Sequence, residues 1–192
     1  MIRRMKIGVI SDTHGLLRPE ALAALAGSDL VVHAGDVGST AVLRGLESVA
    51  PVIAVRGNND HGPWVAQLAE REIVRAAGCS IYLLHDLHDL DRDPRAEGWA
   101  AVIAGHSHRP AIEKRDGVLF VNPGSAGPRR FRLPLSIASL EVRPGGISAE
   151  IILLDVAPSG RSTAGVVPSG NTRATVRASR NVGRSGAKAR SL

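Results

Sequence analysis

The chain has 192 residues, 44% of them apolar and 22% charged, with one cysteine and a formal net charge of +6. That length suits one domain plus an appendage, no run approaches 18 apolar residues, and the start Met1–Lys6 leads into too short an apolar stretch for a secretory signal. Seven of the 24 basic residues fall in 157–192, which holds no acid, so the rest carries 17 basic against 18 acidic residues and no basic excess for nucleic acid.

Along residues 1–156, short β-branched runs alternate with helix-length segments. Ile7–Ile10 reads as a strand and Pro19–Ala26 as a helix, with Pro19 in its first turn and Gly27 as its stop. Leu30–His33 reads as a second strand, Thr40–Val49 as a short amphipathic helix with Ser39 as N-cap and Pro51 as terminator, and Val52–Val55 as a third strand. This is the strand–helix–strand rhythm of a buried sheet. Further strands are expected at Cys79–Leu84, Ala101–Ala104, Val118–Val121, Leu135–Val142 and Ile147–Leu154, the last two joined by a turn at Pro144-Gly145-Gly146. Two packed sheets with flanking helices follow, without an internal repeat.

After Asp155 the composition turns to Ser, Gly, Ala, Thr and Arg, without an aromatic residue or any periodicity. Such a segment buries too little apolar surface to offset its ordering entropy. Residues 1–156 are therefore read as one domain and 157–192 as a disordered basic tail. The lone Cys79 excludes an intramolecular disulfide framework and a cysteine zinc cage, which makes the cytoplasm the expected compartment.

Almost every apolar run is followed by residues able to bind a metal. Asp12 and His14 follow the first strand, Asp36 the second, Asn58 the third, His85 the Cys79–Leu84 run, and His106 with His108 the Ala101–Ala104 run. Ligand sites of α/β sheets lie at these strand ends. Asp12 and His14 converge only if the chain bends, which Gly15 permits, and glycines 35, 57 and 105 allow close backbone approach. A pair of divalent ions needs such a mixture of oxygen and imidazole donors, with one carboxylate shared between the ions. Taken singly, Asp12 also reads as a helix N-cap, Asn58 as a turn residue and each histidine as a structural group; those separate roles give no reason for clustering at five strand ends.

Asp12-Thr13-His14, Gly35-Asp36, Gly57-Asn58-Asn59-Asp60, His85 and Gly105-His106-Ser107-His108, followed by Asn122-Pro123-Gly124-Ser125, resemble the calcineurin-like metallophosphoesterase superfamily. The likeness covers roughly residues 6–154 and is greatest to its small, cap-free YfcE-like phosphodiesterases. It implies a four-layer α/β sandwich of two mixed sheets flanked by helices. It also implies two divalent ions, Mn²⁺ being favoured with Fe, Ni or Zn as alternatives, one held by Asp12, His14, Asp36 and His108 and the other by Asp36, Asn58, His85 and His106. Phosphodiester hydrolysis through a hydroxide bridging the two ions is the implied reaction. His33, His61 and His88 are left as non-ligands.

Two positions depart from the family pattern. Asn59 stands where many members have a histidine that assists the leaving oxygen; an amide cannot donate that proton, although it can hydrogen-bond a phosphate oxygen. Asp86 follows His85 where glycine is usual, which strains the backbone if that position needs positive φ. The repeated His85-Asp86-Leu87 and His88-Asp89-Leu90 leaves two histidines for one ligand position, with His85 favoured because it directly ends the strand. Two other functions stand beside the enzyme. One is a scaffold, as in a retromer subunit resembling the same fold, and the other a nuclease anchored by the basic tail. Arg129 and Arg130 are candidates for phosphate or for plain solvation, no membrane partner is expected, and the oligomeric state is not legible.

Overall fold

The computed structural model describes residues 4–130 and 132–156. The 157–192 segment, read above as a disordered tail, lies outside the described residues. The chain runs β1 (Met5–Ile10), α1 (Pro19–Leu25), β2 (Leu30–Ala34), α2 (Thr40–Glu47), β3 (Val52–Val55), β4 (Arg71–Ala76), β5 (Cys79–Leu84), β6 (Ala101–Ile103), β7 (Ala111–Arg115), β8 (Val118–Asn122), β9 (Ser136–Arg143) and β10 (Gly146–Leu153). Short 3₁₀ turns occupy Pro63–Gln67 and Leu87–Asp89.

Two five-stranded mixed sheets result, ordered β10-β9-β1-β2-β3 and β4-β5-β6-β8-β7. In the first, β1, β2 and β3 are parallel, while β9 joins β1 and β10 antiparallel. In the second, β5, β6 and β8 are parallel, with β4 and β7 antiparallel at the two edges. Between the sheets, Ile7, Val9 and Val32 pack against Ile81, Leu83 and Ile103. The opposite face of the first sheet is covered by the helices. Ala21 and Leu25 of α1, and Val42 and Leu46 of α2, each four residues apart and thus on one helix face, are buried with Val31 and Ile137. This double burial explains why β2 is apolar or buried at every position.

The outer face of the second sheet is covered instead by the 86–100 connection, where Trp99 stacks on Tyr82 with ring centroids 3.9 Å apart. Cover there is incomplete, because Phe120 is only half-buried and the outward residues of β7 are exposed. The flanking layer expected on this side is therefore a 3₁₀ turn and loop, not a helix.

Strands β4 and β7 were not foreseen. Both are edges with charged residues at half or more of their positions, and only Val74 and Ala76 of β4 are buried. Charges on edge strands deter pairing with other chains and erase the apolar alternation that marks a strand. Ser39 sits at the N-cap of α2 but makes no side-chain capping bond. No helix among the described residues is long and apolar enough to cross a membrane.

Candidate metal centre

The parallel strands of both sheets finish at the same rim. Asp12 N–H donates to Gly35 O (3.0 Å), Gly105 N–H to His85 O (2.9 Å) and His106 N–H to Asp12 Oδ2 (3.0 Å), so the loops after β1, β2, β5 and β6 are tied into one surface. Asp12, Asp36, His85 and His108 are all buried there.

Donor atoms of Asp12, His14 and His108 lie within 4.8 Å of one another, as do those of Asp12, Asp36 and His85. His108 Nε2 is 3.2 Å from Asp12 Oδ1, and His14 Nε2 is 3.7 Å from Asp36 Oδ2. On the other side His85 Nε2 is 3.5 Å from Asp36 Oδ1 and 3.0 Å from Asn58 Oδ1, and His106 Nδ1 lies 3.2 Å from the same Asn58 oxygen. All seven expected ligand positions thus meet, with Asp36 turning one oxygen toward each group. Of the repeated histidines, His85 is in the cluster and His88 is exposed.

The donor set fits a cation. Asp12 Oδ1 and His14 Nε2 are buried with no hydrogen-bond partner among the described residues, a costly condition that a positive ion relieves. His85 Nδ1 lies 2.8 Å from Ala34 O, which can only accept, so Nδ1 carries the hydrogen and Nε2 turns its lone pair toward Asn58 Oδ1, itself an acceptor. Burial opposes the His85 charge, but the Asp36 carboxylate and the Ala34 carbonyl outweigh it and push the pKa up to about 8. Burial likewise opposes the Asp36 charge, and hydrogen bonds from His85 and Asn59 hold that carboxyl well below the usual carboxylate range. For His14 burial dominates and lowers the pKa, with the Asp36 carboxylate working against it and the nearby Arg130 adding to it.

Convergence comes from the backbones of the clustered residues themselves. Asp12, His14, Asp36, His106 and His108 all have φ between 46° and 65°, and only Ala77 and Asp116 share that conformation among the other described non-glycine residues. Gly15, expected to supply the bend, is also left-handed, but the turn begins in Asp12 itself. Such residues persist only where surrounding contacts over-determine them. Glycine serves here for space: a Cβ on Gly57 would overlap Asp36 N and Oδ1, and one on Gly35 would overlap the His85 ring.

Asp86 has φ −105°, an extended conformation that costs an aspartate nothing, so the strain considered for this position is absent. Its carboxylate accepts from His88 N–H (3.0 Å) and lies 3.5 Å from His106 Nε2. Asn59 donates from its backbone to Asp36 Oδ1 (2.8 Å) and from its side-chain amide to Asp36 Oδ2 (2.7 Å), which places it on the carboxylate between the two groups. His33 is fully buried. Thr13 O–H donates to Val37 O (2.9 Å), so the His33 Nε2–H donates to Thr13 Oγ1 at 2.9 Å. His61 is exposed.

Asp60 has a role that no residue-type argument assigned. Its carboxylate accepts from the backbone N–H groups of Val37 (3.1 Å), Gly38 (2.7 Å) and Gly57 (2.8 Å), locking the loop after β2 to the loop after β3. The only hint in the sequence is that Asp60 makes a third consecutive polar residue with Asn58 and Asn59, more than a tight turn requires. Asn122 acts similarly, its amide donating to Gly105 O (2.6 Å), while Ser125 O–H donates to Asp12 O (3.0 Å).

The sequence pattern of the calcineurin-like phosphoesterase superfamily domain matches residues 5–145. A protein of Methanothermobacter thermautotrophicus, named a probable metallophosphoesterase, is 35% identical over 159 residues, covering 77% of this chain and 92% of its own. A phosphodiesterase of Methanocaldococcus jannaschii is 32% identical over 139 residues, covering 62% of this chain and 83% of its own. Among solved structures, Vps29 of Entamoeba histolytica, complexed with Zn²⁺, superposes with a TM-score of 0.66 at 23% identity, covering 80% of this chain and 95% of that one.

Proposed function

Because the chain belongs to the calcineurin-like phosphoesterase superfamily, we propose that it is a phosphodiesterase working with two divalent metal ions. Asp12, His14, Asp36 and His108 would hold one ion, and Asp36, Asn58, His85 and His106 the other. The observation that carries this reading is the convergence of buried acceptor atoms, Asp12 Oδ1 and His14 Nε2 among them, without hydrogen-bond partners among the described residues. When bound, such ions polarise phosphoryl oxygens and lower the pKa of water from 15.7 toward about 7. Mn²⁺ is the ion of choice in assay, since mixed oxygen and imidazole ligation suits Mn, Fe, Ni and Zn over Ca. The Vps29 neighbour is a zinc complex, which fits the same donor chemistry.

The chain's own residues then have distinct tasks. Asp36 contributes the negative charge between the two groups, and Asn59, hydrogen-bonded to both its oxygens, fixes its orientation. Asp60 holds the two loops that carry Asp36 and Asn58 at a set separation. Arg130, close enough to His14 to lower its pKa, is available to a phosphoryl oxygen at the rim. No side chain serves as nucleophile: Cys79 begins β5 while His85 follows its end, about 20 Å away along a six-residue strand. Neither Asn59 nor any other amide is an acid, so aryl esters are the favoured substrates.

The test is a substrate panel on protein stripped with a chelator and reconstituted with Mn²⁺. Metal-dependent turnover of aryl phosphodiesters above that of phosphomonoesters is expected. Hydrolysis of monoesters alone would overturn the diester reading. Absence of any turnover with Mn, Fe, Ni or Zn would leave the scaffold suggested by the fold it shares with Vps29.

A further inference from the structure

A second cavity, of about 250 Å³, opens beside the cluster on the incompletely covered outer face of the second sheet. Val102, Ala104 and Phe120 form an apolar floor, and Ala111 stands on its β7 side. Asp86 and His106 line this cavity and also the polar cleft of about 580 Å³ that holds Asn58 and His85. The His106 ring is therefore a shared wall, with Nδ1 toward Asn58 and Nε2 toward Asp86. A group anchored at the cluster reaches the cavity by crossing one imidazole.

We propose that this cavity receives one ester arm of the phosphodiester substrate, and that the arm is a flat aromatic or heteroaromatic ring. The inference rests on the phosphodiesterase reading above and deepens it. Its size selects a single ring system, being smaller than the roughly 300–1,000 Å³ of pockets that enclose a drug-sized ligand. Its walls select a π system over an alkyl chain. The Arg115 guanidinium lies over the Phe120 ring, 4.8 Å from its centroid, and its Nε and Nη2 donate to Glu113 Oε2, so a planar cation and an aromatic ring line the cavity together. Arg109, exposed at the same cavity, makes no ion pair among the described residues and presents a second planar cation for stacking.

Phenylphosphonate and methylphosphonate test this, because they carry one head group and differ only in the arm. Against the Mn²⁺-loaded full chain, phenylphosphonate is expected to inhibit with a Ki about tenfold lower than methylphosphonate, the scale of burying one face of a ring. Ala111→Trp, at an exposed position where bulk disturbs no core, should fill the cavity and erase that preference while leaving the methylphosphonate Ki unchanged. As a reading independent of turnover, phenylphosphonate should shift the amide resonances of Ala104, Ala111 and Phe120 in the labelled wild-type protein loaded with diamagnetic Zn²⁺, and methylphosphonate should not. Equal inhibition by the two compounds, or perturbation confined to another face, would overturn the proposal. Loss of all diester turnover would remove the phosphodiesterase reading instead, and the resonance shifts would still report whether the cavity takes an aryl group.

Discussion

Asp36 presents Oδ2 toward His14 and Oδ1 toward His85, and an amide there would keep the shape while removing the charge between two cations. Asp36→Asn is expected to fold normally, to lose turnover by about a thousandfold or more, and to bind fewer than two ions per chain by elemental analysis. Full activity with two ions retained would remove the dinuclear assignment. At Asn59 the expected effect is one of selectivity. Replacing its amide by an imidazole should raise the rate on alkyl esters relative to aryl esters, within the 10²- to 10⁴-fold span of general acid assistance. An unchanged ratio across a leaving-group series would mean that protonation has another source. The types and positions of the cluster residues were legible because each follows an apolar run. The docking of Asn59 onto Asp36 and the three amides gathered by Asp60 were not, since both join loops distant in sequence that only the finished sheets bring together.

His33 belongs to β2, the strand buried on both faces, and burial there lowers its pKa to about 4 despite the nearby Asp12 and Asp60 carboxylates. In the unfolded chain the same imidazole titrates near 6.5. Between those values the unfolded state binds the extra proton, so stability present above pH 6.5 is lost as pH falls toward 4, by about 3 kcal/mol in full. His33→Gln retains an N–H for Thr13 and removes the titration. Its melting temperature in metal-free buffer should fall less between pH 7 and pH 5 than that of the parent, and an equal fall in both proteins would assign the pH dependence elsewhere. At this scale β2, β3, β5, β6, β8, β9 and β10 were readable within one residue and β1 within two, because burial demands apolar runs. Edges β4 and β7 escaped, since solvent on one flank admits Arg71, Glu72, Glu113, Lys114 and Arg115.

Among the described residues, the apolar clusters run from Met5 in the inter-sheet core to Val156 beneath the helices. The seven basic residues of 157–192 contribute the entire positive excess of the chain. Ending the chain after Val156 is expected to leave the melting temperature and the turnover of a small diester nearly unchanged, as calorimetry and a chromogenic assay would record. A loss of several degrees would show that the segment contributes to the folded body. The same truncation decides the nuclease alternative: the remaining body is near neutral, so any salt-sensitive retention of DNA by the full chain should vanish with the segment.

The left-handed backbone of Asp12, His14, Asp36, His106 and His108 sets protein engineering against itself. Glycine would relax each of these positions and delete one of the proposed metal ligands in the same step. A library screened for heat resistance alone should therefore accumulate glycine or asparagine at His14 and His106, whose side chains are less buried than the Asp12 and Asp36 carboxylates, thinning the proposed metal site while the sheets persist. Screening for thermal endurance in this scaffold must carry an activity requirement, or it will breed sturdy proteins with no catalytic centre.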